Sequence, residues 1–177
     1  MFMATLIKNK RIAPDTWQLF NPAPGEGVPP SGDCLVPLAV WSAQREQLIS
    51  RAGRNGVLLE NTDDPRALAA DFDALSLIAV RFPKFTDGRG YSIARLVRRL
   101  GWQGELRAVG DVQRDQLFLM SRCGFDAFEL RADQDAQSAL SAFNDFTAPY
   151  QLAIDGGARF GAIREAQKTA GTSFTPW

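Results

Sequence analysis

The sequence predicts an α/β protein with a mainly parallel sheet. Two observations carry that expectation. Five short apolar runs recur after Asp33, and each is followed by a helical pattern or a helix-start signal. Unit starts recur about every 20 to 28 residues, enough for one strand and its crossover.

The elements follow in order. Thr5-Leu6-Ile7 and Arg11-Ile12 flank the turn-like Lys8-Asn9-Lys10, which predicts a hairpin, and Trp17-Gln18-Leu19-Phe20 offers a further strand. Residues 21–33 are a linker rich in proline and glycine, which leaves little room for a helix or a central strand. Leu35 to Trp41 is the first run, and Leu48, Ile49 and Ala52 form the helical face after it. Val57 to Glu60 is the second, followed by Asp64-Pro65, a cap residue and a first-turn proline. The third spans Leu75 to Phe82, and its helix runs from about Ser92 to Leu100, stopping at Gly101. Glu105 to Gly110 is the fourth. Asp111 is placed to cap a helix carrying Gln116, Leu119, Met120 and Cys123, which Gly124 ends. Ala127 to Leu130 is the fifth, with Asp133 placed to cap a helix through Leu140 and Phe143.

This organisation divides the chain into a hairpin and linker (1–33), one α/β domain (34–150) and an irregular tail (151–177). Two arrangements fit five βα units: an open, flavodoxin-like sheet, or part of a TIM-like barrel. A full eight-unit barrel needs about 250 residues, more than the 177 present.

Composition narrows the chemistry. Twenty basic and twenty acidic residues balance to zero, which argues against nucleic acid as the main partner. Arg95, Arg98 and Arg99 share one helix and read as a solvated face. With no histidine in the chain, no Ser-His-Asp or Cys-His arrangement exists and no imidazole can ligate a metal. Two distant cysteines, Cys34 and Cys123, cannot supply four ligands to zinc or an iron–sulfur cluster, so they are expected unbridged and without metal. No signal-peptide pattern or membrane-length apolar run is visible, so the expected compartment is the cytoplasm, with no membrane partner.

Parallel sheets bind ligands beyond the carboxyl ends of their strands. The densest polar loop there is Phe82-Pro83-Lys84-Phe85-Thr86-Asp87-Gly88-Arg89-Gly90-Tyr91-Ser92. Its glycines allow close backbone approach, and its amides precede a helix. Gly88-x-Gly90 lacks the third glycine of a dinucleotide fingerprint and is not a Walker sequence. The expected ligand is therefore a small anion, held by Arg81, Lys84, Asp87, Arg89, Tyr91, Asp111 and Arg114. The same edge draws Trp41, Asn61, Asp64, Asp115, Arg131 and Asp133 from the other units. A structural reading competes: Asp87 forming a turn at Gly88, and Arg89 pairing with Asp111 or Asp115.

The segments Phe85-Thr86-Asp87-Gly88-Arg89-Gly90-Tyr91-Ser92-Ile93-Ala94-Arg95-Leu96, Gly110 to Leu117 and Cys123 to Leu130 resemble a family of uncharacterised bacterial proteins. That family is a domain of unknown function carried under the name of oxidoreductases involved in sulfite reduction. The resemblance covers most of residues 35–150. It implies a place in sulfur assimilation, the reduction of sulfite to sulfide for cysteine biosynthesis, and a sulfite reductase hemoprotein as partner. It supplies no catalytic residues. The sequence shows no haem or iron–sulfur ligand set, no dinucleotide motif and no cysteine pair, while flavin needs none of these. An accessory role is therefore expected, binding the reductase or an anion. The alternative is a small oxidoreductase, flavin-dependent or not, or another enzyme acting on an anionic metabolite.

Overall fold

The computed structural model describes residues 5–22, 27 and 31–145. The expected tail, 151–177, lies outside them. Eight strands form one sheet: β1 (Thr5–Lys8), β2 (Arg11–Ala13), β3 (Gln18–Leu19), β4 (Cys34–Pro37), β5 (Asn55–Leu59), β6 (Leu77–Phe82), β7 (Glu105–Gly110) and β8 (Ala127–Leu130). Their spatial order is β2-β1-β8-β7-β6-β5-β4-β3. Strands β3 to β8 run parallel in chain order, and β1 is antiparallel to both of its neighbours.

Helices α1 (Leu38–Ser50), α2 (Arg89–Arg99), α3 (Leu117–Arg122) and α4 (Ala136–Ser141) follow β4, β6, β7 and β8. The link from β5 to β6 is a 3-10 stretch, Pro65–Ala74, capped by Asp64, whose side chain accepts from the Arg66 amide at 3.0 Å. The sheet is thus mixed and mostly parallel, but the series is not five uniform strand–helix units. The apolar run from Leu35 to Trp41 also divides. Proline has no N–H for a ladder, the strand ends at Pro37, and Leu38 to Trp41 open α1. Trp41 is buried there and donates Nε1 to Asp71 at 2.8 Å, tying α1 to the 3-10 stretch.

Chain-order pairing with right-handed crossovers puts the connections from β4 through β8 on one face of the sheet. Val36, Val57, Ile78, Val80, Leu106 and Phe128 point to that face and pack with Leu48, Val97, Met120 and Ala139. An open doubly wound sheet would carry helices on both faces, so the order selects the barrel-like alternative. The alternate residues Leu35, Leu58, Leu77, Ala79 and Val109 line the helix-free face in a second cluster, joined by Trp17.

The N-terminal hairpin turns through Asn9 and Lys10, both at positive φ (50° and 61°), the geometry of a tight hairpin turn. Strand β2 then forms one edge of the sheet and β3 the other, and only Pro14 to Trp17 lie between them. Laid flat, eight strands would set those edges about 34 Å apart. Five residue steps span at most about 18 Å. The sheet therefore curls into a half-barrel, with residues 14–17 as a strap across its concave, helix-free side.

Contacts inside the curl hold the strap. Arg107, 2 % exposed at its side chain, gives Nη1 to Asp15 at 2.8 Å and Nε and Nη2 to Glu105 at 2.9 and 2.7 Å. Lys8 reaches Glu105 from the hairpin at 2.6 Å. Trp17 lies over Gly56, where a Cβ would approach its ring to 3.0 Å, and Arg54 stacks on the Trp17 ring while pairing with Asp33. Cys34 and Cys123 are both buried and outside any disulfide; burial pushes the Cys34 thiol up.

Arg107 should dominate stability. Arg107→Leu leaves the buried Glu105 with the single contact from Lys8 in place of three, with an expected loss of about 3–5 kcal/mol in urea unfolding. The double change Arg107→Leu, Glu105→Leu should recover most of it, since no buried charge is then stranded.

Candidate functional site

The carboxyl ends of β5 to β8 gather the polar residues into two layers, a rim of loops and the mouth of the concave face. On the rim, Asp87 accepts from the Arg89 Nε and Nη2 at 3.0 and 2.6 Å, from the Arg89 amide at 3.1 Å, and from Asn61 Nδ2. Those donors, Arg89 first, hold the Asp87 carboxyl well below the usual carboxylate range. The Arg89 partner is thus Asp87, two residues away, rather than Asp111 or Asp115.

Asp111 is occupied elsewhere and does not cap the following helix. It accepts from Gln113 Nε2 (3.1 Å), the Phe85 amide (2.9 Å) and Arg131 Nη1 (2.7 Å), which together lower its pKa. The cap falls to Gln113 and Gln116, which bond each other's backbone reciprocally before α3. Asp133 likewise pairs with Arg131 at 2.6 and 2.8 Å, and the α4 cap is Asp135, two residues later.

The loop from Lys84 to Tyr91 is pinned at both ends. Asp111 takes the Phe85 N–H, and Gln116 Nε2 donates to the Phe85 carbonyl at 2.8 Å and reaches the Tyr91 hydroxyl at 3.4 Å. Tyr91 is half-buried with its ring edge-on to Phe82, and burial raises its phenol. Phe85 is left 52 % exposed and Lys84 is exposed beside it. Gly90 serves packing: a Cβ there would lie 2.5 Å from the Phe82 ring. Gly88, at φ −77°, meets no such constraint.

Arg114 sits apart from this group. It donates to the Ser138 carbonyl, Ser141 and Asp145, bridging to α4 and beyond. The rim therefore assembles Lys84, Asp87, Arg89, Tyr91 and Asp111 around one loop, and Arg114 joins a different contact set. Trp41, Asp64 and Asp115 also stand outside that loop: Trp41 is core and Asp64 caps the 3-10 stretch.

Arg81 faces the other layer. Alternation along β6 sends Ile78, Val80 and Phe82 to the helices and Arg81 to the concave face, where its Nε donates to Glu60 at 2.9 Å. The same alternation on β8 puts Phe128 and Leu130 in the helix-side core and Glu129 in the concavity. Burial raises the Glu129 carboxyl; the nearby charges of Arg107 and Arg81 work against that shift and Asp15 adds to it. Glu60, Glu129 and the strap's Asp15 escape a reading built on loops. The available signal was a charge at alternate positions within an apolar strand, as in Phe128-Glu129-Leu130. Arg98, one of the three helix arginines, is not solvated either. It donates to the carbonyls of Trp102, Gly104 and Gly124 and pairs with Asp126, tying α2 to the start of β8. A cavity of about 590 Å³ opens at this opposite, amino end of the strands, beside Asn9, Lys10, Phe125 and Phe143.

Fold and rim define a half-barrel α/β protein with a preordered, charged carboxyl-end rim. The chain belongs to a family of bacterial proteins of unknown function, DUF934, whose model matches residues 56–160. That stretch contains the rim, Arg81, Arg107 and Glu129, while hairpin and strap precede it. Comparison with curated proteins and with solved structures finds no match. Among the described residues, no helix is long and apolar enough to cross a membrane, and no group of three or more Cys, Asp or Glu side chains is placed to hold a metal ion.

Two outcomes follow. Asp111→Ala should speed hydrogen exchange at the Phe85 amide, because the loop's anchoring acceptor is gone; the same loosening should appear in the parent on acidification below the ordinary aspartate value, about 3.9. Glu129→Gln should raise stability at neutral pH. The folded carboxyl holds its proton to higher pH than the unfolded one, so its burial penalty grows as pH rises from about 4.3 through that raised value. The gain from glutamine, read by thermal melts, should shrink to nothing below that window.

Proposed function

We propose that this protein is an accessory factor of assimilatory sulfite reduction that docks on the reductase hemoprotein through the carboxyl edge of its sheet. The observation that carries the docking is Phe85. Its backbone N–H and C=O are both held by side chains, from Asp111 and Gln116, while the residue stands 52 % exposed in the loop that carries Lys84, Asp87 and Arg89. A preordered aromatic anchor inside a charged rim is the anatomy of an interface hot spot. The rim arginines support a protein partner over a free anion. Arg89 and Arg131 already grip carboxylates in two-point contacts, so a small anion would have to displace Asp87 or Asp133.

The pathway rests on the family resemblance of the segments around residues 85–96 and 110–130. The scaffold is read as five βα units in series, from β4 to α4, the second closed by 3-10 turns. The work is placed in the cytoplasm, in the step that supplies sulfide for cysteine biosynthesis. Direct acid–base catalysis by the rim is the weaker reading. Asp87 and Asp111 are held ionised and the Tyr91 phenol is held protonated.

A strain lacking the protein should grow on sulfide but not on sulfite, and the tagged chain should retain the hemoprotein on an affinity column. Phe85→Ala should fold normally and weaken that retention roughly thirtyfold, the effect of about 2 kcal/mol at an interface centre. Growth of the deletion strain on sulfite as sole sulfur source would overturn the pathway. Unchanged retention by the Phe85 variant would overturn the docking surface.

A further inference from the structure

The upper half of the concave face holds two charged groups with capacity to spare. Arg81 gives only Nε to Glu60, and its two terminal nitrogens donate to no described residue. The Glu129 carboxylate accepts no hydrogen bond from any described residue. The strap leaves this region open. It crosses lower down, at Arg107 and Gly56, and the Arg81 side chain remains 37 % exposed.

Both groups belong to one row across the sheet. Arg81 is in register with Val109, and the Ala108–Phe128 pairing puts Val109 beside Glu129 one step on. Two strand spacings separate their backbones by about 10 Å. Both side chains rise from the same face, on either side of an apolar floor at Val109, and each feels the other's charge.

Local charge identifies the occupant. Arg11, opposite Lys8, and Arg54, paired with Asp33, join Arg81 and Arg107 on this face and balance its carboxylates, so the face as a whole favours neither sign. In the upper row the charges with capacity to spare are Arg81 and Glu129. A simple anion on Arg81 would lie beside the Glu129 carboxylate, and a simple cation on Glu129 would leave the Arg81 terminal nitrogens unused. A molecule with an ammonium next to a carboxylate answers both groups and adds no net charge. We propose that the mouth of the half-barrel binds a small α-amino acid, its ammonium on Glu129 and its carboxylate on the terminal nitrogens of Arg81, over Val109. This site is inside the curl, uses Glu129, and does not depend on the sulfite reading or on Phe85.

The test is calorimetric titration of the full chain with each proteinogenic L-amino acid, and with the N-acetyl derivative of any that binds. At least one amino acid should bind, and acetylation of its amine should weaken binding about tenfold or more. Glu129→Gln, which keeps the side-chain shape, should cost the parent amino acid a similar factor and should erase the difference between it and its acetyl derivative. Arg81→Gln should weaken the amino acid and leave its amide derivative little changed. No binding by any amino acid overturns the proposal, as does an acetylation penalty that persists in Glu129→Gln. Should that variant fail to fold, the wild-type comparison of amine and acetyl forms still decides: equal affinity for the two overturns it.

Discussion

The short strap between the two sheet edges is the constraint on which this structure depends. Four residues, Pro14 to Trp17, join β2 to β3 across a sheet of eight strands. Such a link closes only if the sheet curls. Curling brings the concave side chains together, which buries Leu58, Leu77 and Ala79 without a helix layer over them. It also places a fully buried guanidinium, Arg107, between a strand carboxylate and a strap carboxylate. The geometry and the ion pairs support each other: the strap holds the curl, and the curl shields the pairs that fasten the strap. Because a buried charge is costly when a partner is lost, this arrangement tolerates little slippage of the edges.

The curl also divides the polar residues by depth. On the rim, carboxylates take up the guanidinium groups in two-point contacts, so the loops are stiffened by their own charges. That self-pairing makes the Lys84–Tyr91 loop a fixed platform for an exposed aromatic. Within the mouth the pairing is incomplete. Arg81 uses one nitrogen and Glu129 uses neither oxygen on a described neighbour. A stiff exterior platform suits a macromolecular surface, whereas a half-buried row of unspent donors and acceptors suits a small molecule. The two surfaces sit at the same end of the sheet, so an occupant of the mouth would lie close beneath a partner docked on the rim.

The sequence by itself determined the strand series, the hairpin and the polar loop at the carboxyl edge. Local physics was sufficient there: apolar runs of strand length, turn residues between them, and caps such as Asp64 before Pro65. It also placed Asp87, Arg89, Tyr91 and Asp111 in one neighbourhood, since three of them share a single loop and strand ends converge. Only the tertiary structure decided how those groups are spent. Asp111 and Asp133 carry the residue type of helix caps and sit where caps are expected, yet both turn to Arg131, and Gln113 and Asp135 cap instead. A cap is chosen by competition among nearby acceptors, and the Arg131 guanidinium, reaching Asp111 from the next strand's end and Asp133 from two residues before it, outweighs a local amide. Strand order, and with it the choice of half-barrel over doubly wound sheet, was equally hidden, because identical βα units serve both. The roles of Asp15, Glu60, Arg107 and Glu129 depend on which face of the sheet the helices leave open. That face is set by the summed handedness of the crossovers and by an edge-to-edge link, and neither is a property of any local stretch of chain.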